Sequence, residues 1–194
     1  MLIMDLDQNR TLDQWAKRFP DVSKHIAVEP ANESNFLDHL EGHCNNRTGF
    51  ILIDVAGVFQ KTTIQAATVA DLTIIPSKLS APDIIEASKL HRELEHLSRM
   101  YHKPILHRIL LNEVNPLWPT YQRHAIEDVR RTGMDGFSTP IHHRAPYAEV
   151  FLTGQTPHFA DQSREPVRKA VAQLDELTDR ILSLLNINQT KATS

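Results

Sequence analysis

The sequence predicts an α/β fold: a mostly parallel sheet flanked by helices. Short apolar runs alternate with longer stretches of helical periodicity along nearly the whole chain. The run Phe50-Ile51-Leu52-Ile53 is apolar without alternation, as a parallel strand covered on both faces requires. Two such runs end in carboxylates, Asp5 and Asp54, and open parallel sheets bind ligands beyond the carboxyl ends of their strands. At 194 residues, 41% of them hydrophobic and 23% charged, the chain can bury one full core.

The elements follow in order. Leu2-Ile3-Met4 is a short strand running into Asp5. Thr11 begins a helix with Gln14 three residues on, a capping-box pattern, and Pro20 ends it. His25 to Val28 reads as a second short strand. Asn32 or Ser34 caps a helix carrying Phe36, Leu37 and Leu40. Phe50–Ile53 is the clearest buried strand, and Lys61-Thr62-Thr63 starts the helix after it. Leu72–Ile75 is a strand stopped by Pro76. From Pro82 to Tyr101, Ile85, Leu90, Leu94, Leu97 and Tyr101 recur at helical spacing. Ile105–Leu111 reads as a strand, and Thr120–Arg131 as a helix stopped by Gly133. Pro166 opens a last helix with Val167, Ala170, Val171, Leu174, Leu177, Ile181 and Leu182 on one stripe. The domain is expected to span residues 1–185, with a flexible polar tail over 186–194.

Composition narrows the functions. Net charge is -3 and pI about 6.4, so no global basic field attracts nucleic acid; DNA contact would need a local patch. Arg123, Arg130 and Arg131 share one predicted helix, and Arg164, Arg168 and Lys169 flank another; solvated helix faces explain both equally simply. Cys44 is the single cysteine, which excludes an internal disulfide and a paired-cysteine zinc site and fits a reducing cytoplasm. No apolar run approaches the roughly 18 residues of a membrane helix. No Gly-x-Ser-x-Gly elbow and no His-Glu-x-x-His pair occurs. His91, His96 and His102 read as solvated or packed side chains.

The candidate chemistry lies at the two strand ends. Asp54, after four apolar residues and before Gly57, has the form of a Walker B aspartate, which serves Mg²⁺ on bound phosphates; an aspartate can also end a strand as a simple cap. Asp5 and Asp7 stand two residues apart, where their charges repel unless a cation or donor offsets them; the plainer reading is a solvated turn. The stretch Asp5-Leu6-Asp7-Gln8-Asn9-Arg10-Thr11-Leu12-Asp13-Gln14-Trp15 resembles the second signature (Walker A′) of the ParA/MinD deviant P-loop ATPases, especially their VirC-like branch. Further pieces follow in family order. Phe50–Gly57 resembles Walker B, and Ala70–Pro76 the "Ala-Asp-apolar-Pro" strand. Arg108–Asn112 resembles the strand ending at the base site. Thr139–Phe151, with Arg144, Tyr147 and Ala148, resembles the late loop and helix before a glycine, here Gly154.

This resemblance implies a ParA-like P-loop NTPase domain that uses ATP and Mg²⁺. In it Asp7 would position the attacking water, Asp54 (through water) and Asp5 would serve Mg²⁺, and Asn112 and Pro140 would contact the nucleotide. It implies partitioning or positioning of plasmid or transfer DNA by an ATP-switched homodimer, with a centromere-binding or transfer partner protein and non-specific DNA contact through the Arg/Lys patches. Gln8 departs from the family's usual proline. The family's Lys-Gly-Gly-x-Gly-Lys-Thr loop is not in these residues. Gln60-Lys61-Thr62-Thr63 is a decoy, because Gln60 and Val55 occupy the two positions where a P-loop needs glycine. The fold is therefore expected to be N-terminally incomplete, with Met1 placed where the family has the middle of a strand, and with an empty slot beside Phe50–Ile53. The alternative is a non-catalytic, shortened paralogue that keeps a binding or regulatory surface. Adenine is favoured over guanine because Asn112-Glu113-Val114-Asn115 lacks the Lys and Asp of a guanine-reading motif.

Overall fold

A computed structural model of the chain describes residues 1–21, 26–45, 49–56 and 61–187. In order the elements are β1 (Leu2–Asp5), α1 (Thr11–Arg18), β2 (Ala27–Pro30), α2 (Phe36–Asn45), β3 (Ile51–Asp54) and α3 (Lys61–Val69). There follow β4 (Thr73–Ser77), α4 (Ala81–Met100), β5 (His107–Leu111), α5 (Thr120–Arg131), α6 (Ala145–Thr153) and α7 (Glu165–Leu184). Every strand pairing is parallel, as the run of strands separated by helices requires. The residues fall into two compact units, Met1–Thr68 with Glu149–Gln155, and Val69–Ala148 with the chain from Thr156 onward.

The first unit is built on a three-stranded sheet in the order β2-β1-β3. The central strand, β1, is buried at every residue. Leu2, Met4 and Leu6 share one face of it and pack with Ala31 and Phe36; Leu40, Ile51, Ile53 and Val55 close that core. Phe36 and Met4 are wholly buried, and each contributes about 2–3 kcal/mol by burial. The expectation that Phe50–Ile53 is the most buried strand is corrected: Phe50 is 47% and Leu52 48% exposed. The reason is position in the sheet. β3 pairs with β1 alone among the described residues, so it is an edge strand. Of the expected strand His25–Val28, His25 lies outside the described residues; the strand observed is Ala27–Pro30, and Pro30 ends an edge strand, where a missing N–H is tolerated.

The capping box at Thr11 does not form. Arg10 precedes α1 in the left-handed region at φ 52°, and Gln14 Nε2 instead donates to the Asn9 carbonyl. At the other end of the unit, Trp15 Nε1 donates to the Val150 carbonyl, 3.1 Å away. Gly154 caps α6 at φ 75°, with Phe19 packed where a side chain would stand.

In the second unit β4 and β5 pair, and single bridges join Ile109 to Gly136 and Val114 to His142. β4 runs through Pro76, where a stop was expected. Thr73 N donates to Leu106 O, so amides at alternate residues 73, 75 and 77 turn toward β5 and position 76 turns away; proline sacrifices no ladder bond there. On α4 the buried residues are Ile84, Ala87, Leu94 and Leu97, while Ile85 and Tyr101 are exposed: the inward stripe is rotated from the one expected. Gly133 ends α5 at φ 76° and Pro166 opens α7, both as expected. Gln173, on the α7 stripe, is also buried. Gly57 and residues 188–194 of the expected tail lie outside the described residues.

Candidate functional site

The carboxyl ends of β1 and β3 carry the acidic residues singled out in the sequence. Parallel register places Asp5 beside Asp54. Register partners on a parallel pair point to the same face, so both carboxylates share one side of the sheet. Asp7 follows two residues beyond β1, close enough for its charge to act on Asp54. Burial first, then the Asp5 and Asp7 charges, raise the Asp54 carboxyl above the ordinary aspartate value.

Asp5 has no solvent exposure. Its Oδ1 accepts the Asp7 amide at 3.1 Å and its Oδ2 accepts the Asp13 amide at 3.0 Å. Asp13 is in the first turn of α1, so Asp5 caps that helix from the end of the neighbouring strand and does the work expected of Thr11. The Asp5 carbonyl accepts the Arg10 guanidinium and the Ala31 amide. Asp7 accepts the Asn9 amide at 3.1 Å, an Asx turn that leaves its carboxylate half-exposed. The Asp-x-Asp-x-Asn-Arg motif is therefore a folded unit: one aspartate buried and structural, the next held at the surface above it.

Asp5, Asp7 and Asp54 thus gather their negative charges at the carboxyl ends of two neighbouring strands, and the repulsion falls on Asp54. Asp5 commits both oxygens to the Asp7 and Asp13 amides, and Asp7 accepts the Asn9 amide through Oδ1. A polyphosphate needs more than this. It needs a glycine-rich backbone turn and a lysine, and the sequence holds no Gly-x-x-x-x-Gly-Lys-Ser/Thr. Lys61 of the decoy stretch opens α3 and pairs with Glu33 at 2.6 Å.

The two residues expected at the nucleotide base, Asn112 and Pro140, are in the second unit. Asn112 follows the carboxyl end of β5 and donates its amide to the Ser77 carbonyl at 2.8 Å. Pro140 lines a cavity of about 310 Å³ with Thr139, His142, Arg144, Gln173 and Glu176. Gln173 organises that loop: its Nε2 donates to the Pro140 carbonyl at 2.6 Å, and its Oε1 accepts the His142 amide and the Tyr147 hydroxyl at 3.1 Å each. Burial and the Arg144 charge hold His142 below the usual imidazole range. Gln173 is a residue that sequence reasoning missed, since on α7 it occupies a position of the apolar stripe. The basic patches are partly spoken for. Arg131 pairs with Asp128 at 3.0 Å, Lys169 with Glu165 at 2.5 Å, and Arg168 donates to the carbonyls of Gln162 and Ser163. No helix of the described residues is long and apolar enough to cross a membrane.

No family model matches the chain. Among curated proteins, Protein ParA of Rhizobium radiobacter is 22% identical over 157 residues, spanning 80% of this chain and 70% of that protein. Among solved structures, the MinD cell division protein of Aquifex aeolicus aligns at a TM-score of 0.64 and 16% identity, covering 92% of this chain and 84% of its own. The MinC:MinD cell division protein complex of the same organism gives 0.65 at 16% identity, covering 92% and 83%. A protein assigned to plasmid partition in Borrelia burgdorferi B31, solved bound to AMPPNP, gives 0.61 at 12% identity, covering 92% and 86%.

Proposed function

Because the chain has the ParA/MinD-type P-loop ATPase fold, we propose that it is the catalytic-carboxylate part of a ParA-like ATPase. Its work would be the partitioning or positioning of plasmid or transfer DNA as an ATP-switched homodimer, with a centromere-binding or transfer protein as partner. The observation that carries this reading is the placement of Asp5, Asp7 and Asp54 together at the carboxyl ends of β1 and β3. Asp54 would hold Mg²⁺ through water, Asp7 would orient and accept a proton from the attacking water, and Asp5 would hold both in place from the buried side. A bound Mg²⁺ would supply charge neutralisation of the phosphates. Asn112 and Pro140 are proposed nucleotide contacts, and Arg123 and Arg130 a proposed DNA-facing patch. Residues 1–185 are taken as this one ATPase domain, working in the cytoplasm.

These residues alone contain no phosphate grip. Among the described residues one edge of β3 has no partner strand, and the family's P-loop strand would hydrogen-bond there. The chain by itself is therefore proposed to be inactive. The absent glycine loop also favours a second reading, a non-catalytic paralogue acting through a binding or regulatory surface. The coding DNA upstream of Met1 separates them. An in-frame Lys-Gly-Gly-x-Gly-Lys-Thr run is expected for the ATPase; a stop codon directly upstream would establish the binding protein.

A further inference from the structure

The second unit carries a cluster that the ATPase reading leaves without a role. His91 lies on the inward side of α4, seven residues after buried Ile84 and three before buried Leu94, and Glu95 is one turn further on. His107 opens β5 and is only 8% exposed. The His91 Nδ1 and His107 Nε2 atoms are 2.8 Å apart, and His107 Nε2 is 3.9 Å from Glu95 Oε1. All three ligand atoms lie within 4.8 Å of one another.

The other nitrogen of His107 fixes its chemistry. Nδ1 is 2.7 Å from the Ile105 carbonyl, which can only accept, so Nδ1 carries the proton. Nε2 then presents its lone pair to the cluster. A ligating histidine takes this arrangement: the second nitrogen donates to a backbone carbonyl, which sets both tautomer and ring orientation. Glu95 has a free oxygen to give, because Arg99 approaches the other one, Oε2, at 3.8 Å.

We propose that His91, Glu95 and His107 form a binding site for a divalent transition-metal ion, with Zn²⁺ as the fitting ion. Two imidazoles and one carboxylate are a zinc donor set and not a magnesium one. In a tetrahedral shell with bonds of about 2.0–2.1 Å, ligand atoms stand about 3.3 Å apart. That separation falls between the 2.8 and 3.9 Å found here. The ion replaces the proton shared between the two rings, and Glu95, whose side chain is 46% exposed, closes the small remaining gap. The site is separate from the nucleotide chemistry. His107 is at the amino end of β5, about 16 Å along the strand from Asn112 at the other end. A bound ion would staple α4 to β5.

The test uses the full chain, stripped with a chelator, dialysed and titrated with Zn²⁺ against a chromogenic competitor. One equivalent per chain is expected, with a rise in Tm and, on Co²⁺ substitution, a tetrahedral ligand-field spectrum. His91→Ala and Glu95→Gln should each weaken binding at least about tenfold. His102→Ala and His124→Ala, exposed histidines outside the cluster, should leave it unchanged. Both cluster substitutions avoid His107, the buried member of the cluster. Absence of stoichiometric uptake by the wild-type chain, or equal uptake by His91→Ala and Glu95→Gln, would overturn the proposal.

Discussion

Asp5 and Asp54 are neighbours with opposite burdens. Asp5 is fully buried and both its oxygens accept backbone amides, from Asp7 and Asp13. Removing it orphans two amides in a place water cannot reach, so Asp5→Ala should cost about 2–4 kcal/mol in urea denaturation. Asp5→Asn, which keeps one acceptor oxygen, should cost less. A loss under about 0.5 kcal/mol for Asp5→Ala, the scale of a surface change, would contradict the capping role. Asp54 bears the repulsion instead. Its carboxyl is raised above the ordinary value of 3.8 by burial, Asp5 and Asp7. A carboxyl raised on folding holds its proton more tightly in the folded chain. Its contribution to stability is full below the ordinary value and is lost as pH climbs through the raised one. Asp54→Asn should therefore raise Tm at pH 7 in metal-free buffer, and the gain should fade as pH falls toward 3.8. Circular dichroism melts across that range would show it. A gain that stays constant with pH would place its origin elsewhere.

At the level of elements, β3 shows what a sequence can and cannot specify. Its apolar run marks a strand, but burial depends on neighbours, and here the described residues supply only β1. Leu2 N donates to Phe50 O and Leu6 N to Asp54 O, so positions 50, 52 and 54 turn toward β1 and the amides of Ile51 and Ile53 turn outward. Hydrogen exchange should find Leu52 and Asp54 protected and Ile51 and Ile53 fast. Equal protection of all four would mean that another strand occupies that edge. Helices flanked by proline or glycine were legible, because Gly133 and Pro166 impose their own conformations. Pro76 misled: a proline breaks a strand only where its nitrogen faces the ladder, and the sequence does not reveal that parity. The Asp-x-Asp motif was legible as a site, but the division of labour within it was not, since the Asp5 to Asp13 cap joins a strand end to a later helix turn. His91, Glu95 and His107 form no His-to-His motif in the sequence, because the cluster joins a helix to the next strand. The usable signal was a His-x-x-x-Glu pair on a helix, followed by a histidine opening the next strand.

For the molecule as a whole, the proposed ATPase function has two requirements. The carboxylates that would manage metal and water are present and assembled by β1 and β3. The glycine loop that grips phosphate is not encoded in these 194 residues. Steady-state ATP hydrolysis tests this division directly, measured on the chain alone and on the same chain joined to an upstream glycine-rich strand–loop–helix unit. The account predicts background turnover for the chain alone. It predicts clear turnover for the extended form, falling at least about 100-fold with Asp54→Ala, the scale of losing a transition-state contact. Turnover by the chain alone that disappears with Asp54→Ala, or no turnover from a folded extended form, would contradict it.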